Sequence, residues 1–277
     1  MSERYKGYRI SKVVIGYAVR LYFRYKLSLR DVSELLIERG VCVTYESIRL
    51  WVKNLGPVYA QAIRKKRRTS FTDKWHIDEV RVKIKGEVFW LWRLVDSTGE
   101  EIEILLQRRR NAKSAIRFLK KALKRIGQPP RVMVTDKLKS YNKAHRVLLR
   151  TSEHRSHKRL NNRAENSHQP TREKERQMRR FKTPGYAQRF LSSMGAFLNL
   201  LKVKRYSVSA KEYRQKLKES LSIFHEIVVS QPSVYLKRKI LTQFIDMINN
   251  LTAPSPQFLE RAKYGDILHA KLGNMSP

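Results

Sequence analysis

Apolar residues recur at helical spacing at the start of the chain and at strand spacing further on. In residues 11–26, SKVVIGYAVRLYFRYK, Val14, Tyr17, Ala18, Leu21 and Tyr22 fall on one face and predict a helix. Ser28 and Asp31 then stand as N-cap and third helical residue of LRDVSELLIERG, with Gly40 as its stop. Thr44 opens a further helix, YESIRLWVKNLG, which the pattern ends at Gly56-Pro57. Two short helices joined by GVCVT form a helix-turn-helix pattern, whose second helix would enter the major groove with Tyr45, Ser47, Arg49 and Lys53. A small helical bundle is the alternative, and the basic balance of the region favours DNA. The run Arg64, Lys65, Lys66, Arg67, Arg68 reads as a phosphate-contacting linker or a solvated helix end.

From Lys74 the period changes. WHIDEVRVKI, EVFWLWRLVD and EIEILLQ are rich in β-branched and aromatic residues and are separated by Gly86 and Gly99, which predicts a three-stranded antiparallel meander. Trp75, Trp90 and Trp92 are assigned to its core, and Asp96 to the turn before Gly99 or, more weakly, to the chemistry. Asn111 caps a helix reaching Gly127, and RVMVTD is a short strand ending at Asp136. Residues 137–145 read as helix, 146–152 as strand and Asn161 to about Arg180 as helix, so the order is βββαβαβα. Beyond Tyr206, KEYRQKLKESLSIFHEIVVS and YLKRKILTQFIDMINNL read as amphipathic helices. The expected division is 1–70 for the helix-turn-helix region, 71–206 for an α/β catalytic domain and 207–277 for a helical extension. That extension is either a dimerisation element or a tail read out of frame.

Composition sharpens the functional reading. The chain of 277 residues has 60 Lys and Arg against 24 Asp and Glu, a net charge of +36, which points to a polyanionic partner. The charge is uneven: +11 over residues 1–70 and +15 over 137–206, but zero over 71–110. No apolar run spans a bilayer and the N-terminus has no signal-peptide pattern, so a cytoplasmic, nucleoid-associated protein is expected. Cys42, the only cysteine, excludes an internal disulfide and reads as a small buried residue.

The strand order is that of an RNase H-like fold, in which the first and fourth strands lie side by side. Asp78 falls in the first, Asp136 at the end of the fourth, and Glu165 on a late helix beside them. Singly, each acid has an ordinary explanation: a helix N-cap for Asp136, a pair with Arg81 for Asp78, helical i,i+4 contacts for Glu165. Together, in a polybasic chain, they suit two Mg²⁺ ions about 4 Å apart, with Mn²⁺ as a possible substitute, because hard cations take oxygen ligands and relieve carboxylate repulsion. Asn161, Asn162, Arg163 and His168, with Arg172 and Arg176 further along, would face phosphate or orient Glu165. His76 and Glu79 flank Asp78, and strand alternation turns both away from it.

WHIDEVRVKIKGE, WRLVD at 92–96, VTDKLKSY at 134–141, LNNRAENSHQPTREKERQMRRFK at 160–182 and the following RFLSS resemble the DDE transposases of IS6-family insertion sequences, over about residues 8–206. The resemblance implies an RNase H-like catalytic domain with Asp78, Asp136 and Glu165 as its triad and a Mg²⁺-dependent reaction. It further implies cleavage at terminal inverted repeats followed by strand transfer into target DNA. One active site must process each DNA end, so a homodimer or larger synaptic assembly on double-stranded DNA is expected. The alternative is an inactive relic that only binds DNA or represses.

Overall fold

The structure is a computed structural model and describes residues 10–67, 72–136, 138–156, 168–203 and 208–230. Contacts divide the chain into Met1–Val228 and Val229–Pro277, and only Val229 and Ser230 of the second unit are described.

The first unit begins with α1 (Lys12–Arg24), α2 (Leu29–Ile37) and α3 (Tyr45–Lys66). Ser28 and Asp31 form a reciprocal capping box at α2, and Thr44 caps α3 through Ser47 N. Contrary to the sequence expectation, α3 does not stop at Gly56-Pro57 but runs a further nine residues, to Lys66. Its apolar face continues through Tyr59, Ala60 and Ile63, all buried, and this burial outweighs the hydrogen bond that Pro57 cannot donate. Gly56 is the contact point with α1: a Cβ there would lie 2.8 Å from the Phe23 ring. Cys42 is exposed, not buried, because the extended link 41–44 turns it outward while Val43 accepts a hydrogen bond from Ser33 Oγ at 2.5 Å.

The sheet follows as β1 (Lys74–Ile84), β2 (Glu87–Asp96) and β3 (Glu101–Gln107), then α4 (Ala112–Ile126), β4 (Val132–Thr135), α5 (Lys139–Leu148) and β5 (Glu153–Ser156). The last strand lies after the 146–152 expected for it, since α5 continues to Leu148. The order is β3-β2-β1-β4-β5, with β1 antiparallel to β2 and parallel to β4. This is the RNase H-like arrangement. Trp75, Ile77, Trp92 and Leu94 pack on Phe118, Leu119 and Tyr141 of α4 and α5 to form the main core. Trp90 lies at its partly buried margin. Asp96 is fully buried and accepts hydrogen bonds from Thr98 N, Thr98 Oγ1 and Glu100 N, so it holds the turn before Gly99.

Three further helices complete the described residues: α6 (Gln169–Gln177), α7 (Pro184–Leu201) and α8 (Ala210–Val229). Phe197 of α7 stacks on Phe23 with ring centroids 4.6 Å apart, and Phe224 of α8 meets Tyr59 edge-on at 5.7 Å. Arg64 donates to Ser192 Oγ at 2.8 Å and Arg67 pairs with Glu100 at 2.8 Å, while Lys66 pairs with Glu226. The run at the end of α3 is thus not a free phosphate-contacting linker. Its two described arginines are part-buried, tying the helical module to α7 and the sheet. Arg68 lies outside the described residues.

α6 makes a second tie. Lys174 is buried, donates to Leu27 O at 2.8 Å and sits 3.8 Å from the centroid of the Tyr22 ring, and Gln177 Nε2 donates to Lys26 O at 3.0 Å. Among the described residues no helix is long and apolar enough to cross a membrane.

Two outcomes test this packing. A Cβ on Gly16 would approach Val228 Cγ2 to 2.6 Å, so Gly16→Ala should lower stability by about 1–3 kcal/mol by pushing α8 off α1. Denaturant unfolding of the purified variant checks it, and an unchanged midpoint would show that α8 is not seated there. Burial lowers the pKa of Lys174 to about 7, against 10.5 for the free side chain, with Asp31 opposing the shift. In that interval the unfolded chain holds a proton that the folded one has released, so stability should rise with pH above about 7. Lys174→Met should flatten that rise in the same unfolding measurement taken at a series of pH values.

Candidate active site

The site begins with a difference in strand length. β4 pairs with β1 only at Val132, Met133 and Val134, opposite Lys74, Trp75 and His76, and ends at Thr135. β1 runs on to Ile84, so Asp136 leaves the sheet beside the part of β1 that carries Asp78 and Glu79. One carboxylate oxygen from each of Asp78, Glu79 and Asp136 lies within 4.8 Å of the others. Asp136 also receives Leu138 N at 3.0 Å, but Leu138 and not Asp136 is the N-cap of α5, which has no side-chain cap, so the ordinary reading of Asp136 as a helix N-cap does not hold.

Asp78 and Glu79 point to opposite faces, as alternation requires, and their surroundings differ. On one face, Nε2 of His168 lies 3.3 Å from Asp78 Oδ2. His168 precedes α6 and is 2% exposed, so its ring faces Asp78 and not a solvent-side phosphate, which corrects its expected role as a phosphate donor. Burial lowers its pKa, with Asp78 opposing. On the other face, Glu79 accepts hydrogen bonds from the Tyr141 hydroxyl and from Arg110. Burial raises the Glu79 pKa to about 7, against the pull of Tyr141 and Arg110. Arg110 also lies 3.3 Å from Asp136 Oδ2. The sequence expectation that Glu79 turns away from Asp78 is correct for the side chain's direction. It fails to exclude Glu79 from the cluster, because Asp136, beyond the end of its strand, is within reach of both faces.

Beside the cluster lies a groove of about 700 Å³ lined by Glu79, Val80 and Arg81 of β1 and by Arg172, Glu175, Arg176 and Arg180. Arg172 and Arg176 are one helical turn apart on α6. Arg179 and Arg180 follow the helix with φ of 52° and 71°, a left-handed turn that non-glycine residues adopt rarely. Arg180 N closes it on Glu175 O at 2.9 Å. Sequence reading named Arg172 and Arg176 for DNA and Arg81 only as a possible partner of Asp78, and the place of Arg180 in the groove depends on the turn.

Glu165, Asn161, Asn162 and Arg163 lie outside the described residues. In the helical module, Tyr45 is 42% exposed, and Arg49 and Lys53 are exposed on the surface of α3. Arg49 is paired with Glu46 at 2.6 Å, and Ser47 stands at the capped start of the helix. Of the basic run, Lys65 is exposed. The clustered carboxylates offer the hard oxygen donors that a divalent cation takes, and their proximity favours its binding.

An RNase H-like sheet that gathers acids from the middle of its first strand and from just beyond the end of its fourth defines the class, a polynucleotidyl transferase. Residues 72–204 match the family model described as the DDE domain of the IS240 transposase type. The transposase of the insertion sequence-like element IS431mec of Staphylococcus aureus is 38% identical over 170 residues, 60% of this chain and 74% of that one. The transposase of the element IS257 in transposon Tn4003 of Staphylococcus aureus is 37% identical over the same length and shares. The HTLV-2 integrase catalytic core domain in complex with magnesium superposes with a TM-score of 0.39 at 15% identity, over 53% of this chain and 98% of that one. The chain belongs to the IS6 family of DDE transposases.

Proposed function

We propose that this transposase cuts DNA at the terminal inverted repeats of its element and joins the ends to target DNA, with Asp78, Asp136 and Glu165 as the acids that hold two Mg²⁺ ions, or Mn²⁺ in their place. The observation that carries the reading is the approach of Asp78 and Asp136, 58 positions apart in sequence, to within 4.8 Å beside an arginine-lined groove. Divalent ions bound there would supply Lewis acidity for an attacking water or 3′-hydroxyl and for the departing oxygen. The chain's own contribution is to hold the carboxylates. His168 supports Asp78 from one face, and Leu138 N fixes Asp136.

DNA recognition is assigned to two surfaces. Thr44-capped α3, entering the major groove as the second helix of a helix-turn-helix over residues 1–70, would present Tyr45, Ser47, Arg49 and Lys53. The groove over β1 and α6 would hold a phosphate backbone with Arg81, Arg172, Arg176 and Arg180. A homodimer or larger assembly would pair the two DNA ends, in the cytoplasm on the nucleoid. Residues 71–206 would form the catalytic domain, and the extension from 207 would begin with α8, whose seat against α1 and α3 supports a structural role for that helix. A relic that binds without cutting is the second reading, and the gathering of three carboxylates, with Glu79 buried and hydrogen-bonded to Tyr141, argues against it, since a pure binder gains nothing from carboxylates beside phosphate.

Strand transfer in vitro, with a labelled duplex ending in the element's terminal repeat, should yield joined products in Mg²⁺ for the intact protein. Glu165→Gln should yield none while still binding the duplex. Binding without joining by the intact protein would move the assignment to the relic. Arg172→Ala and Arg176→Ala should each lessen the slope of log affinity against log salt by roughly 1. Slopes equal to that of the parent protein would remove the groove from the DNA path.

A further inference from the structure

A guanidinium already stands inside the acidic cluster. Arg110 follows β3 and directly precedes Asn111, the N-cap of α4. Its Nε and Nη2 both reach Glu79 Oε1, while Nη2 lies 3.3 Å from Asp136 Oδ2. Its guanidinium carbon is 4.8 Å from the centroid of the Trp90 ring. These attachments are unequal. The Glu79 side chain is fully buried and is held from its other oxygen by Tyr141, whereas Asp136 is one-third exposed and offers Arg110 a single contact.

We propose that Arg110 is a positioning residue that occupies the cation's place beside Asp136 before metal binds, and that metal loading exchanges Asp136 from the guanidinium to the ion. The inference rests on the reading of Asp136 as a metal ligand and adds what governs its loading. Carboxylates this close repel one another unless a positive charge stands between them, and an arginine keeps its charge at any working pH. Arg110 supplies that charge and thereby keeps the acids gathered in the metal-free protein. When the Asp136 contact breaks, the contacts to Glu79 and Trp90 remain, so the guanidinium stays at the rim of the centre. There its charge opposes the arriving ion. The affinity of the centre for metal is thus set below what its carboxylates alone would give.

The test is calorimetric titration of the full chain with Ca²⁺, which probes binding without turnover, in the absence of DNA. Arg110→Gln, with folding checked by circular dichroism, should bind Ca²⁺ roughly tenfold tighter, because a full charge has been removed from within a few Å of the ion. Arg110→Lys, which keeps the charge, should stay close to the parent. Equal or weaker binding by folded Arg110→Gln overturns the proposal. A parent protein that binds no divalent ion overturns both the proposal and the metal reading beneath it, whereas parent binding unaffected by Arg110→Gln sinks the proposal alone. If Arg110→Gln does not fold, the arginine Nε–H resonance of Arg110 in the parent protein decides. Ca²⁺ should shift that signal while its slow exchange with water persists, since Glu79 still holds it. A signal indifferent to Ca²⁺ overturns the exchange.

Discussion

The parallel pairing of β1 with the short strand β4 is the constraint on which the site depends. It joins segments separated by the β2–β3 meander and α4, and it can form only because α4 carries the chain back across the face covered by Trp92, Phe118 and Tyr141. Its register is limited to Lys74–His76 against Val132–Val134. A slip of one residue would send the buried side chains of both strands to the wrong faces, so the core that fixes the register also fixes where Asp136 leaves it. The approach of Asp136 to Asp78 and Glu79 is thus a by-product of core packing. No carboxylate attraction is needed to assemble the acids, which on their own would move apart.

α6 carries a second constraint. Its start places His168 against Asp78, its first turn receives Arg93 Nη2 on Thr171 Oγ1 at 2.7 Å, and its middle inserts Lys174 into the helical module. Arg93 is buried with Glu101 at 3.2 Å, and a Cβ at Gly195 would collide with that Glu101 carboxylate. A buried pair of this kind gives little net stability, because desolvation offsets its attraction, but it penalises any arrangement that separates its members. Sheet, α6 and α7 are therefore fixed in mutual position by polar contacts as well as by apolar ones.

Local signals in the sequence were sufficient for much of this. The caps at Ser28, Thr44 and Asn111, the glycine turns at Gly86 and Gly99 and the change of period at Lys74 act within a few residues, so the order of the elements was legible. One helix, α7, was missed although Thr183 caps it and Pro184 opens it, and the other failures were decided by residues far apart. Gly56-Pro57 is a helix stop by local rules, and only the Phe23 ring, thirty-odd positions earlier, explains why a glycine there serves packing. Strand alternation describes Glu79 well, yet it cannot say that β4 ends where Asp136 meets both faces. Arg110 gives no sequence signal at all, because its partners come from β1, from the loop after β4 and from β2.

The charge of +36 is also not one reservoir for DNA. Arg64 and Arg67 anchor α3 to α7, Arg125 reaches the Ile102 carbonyl of β3, Lys174 fills a gap beneath Tyr22, and Arg93 is sealed under α6. These cations stabilise contacts between elements and are wholly or partly withdrawn from solvent, where they can release few counterions when a phosphate approaches. The groove arginines are a different population. They sit on an exposed helix face and on a left-handed turn that conformational preference disfavours, an expense that core packing alone does not explain. Counting lysines and arginines in the sequence therefore overstates the cations left open to an anionic partner. Arg81, Arg172, Arg176 and Arg180 are among the cations the fold leaves exposed, and they stand beside the acids.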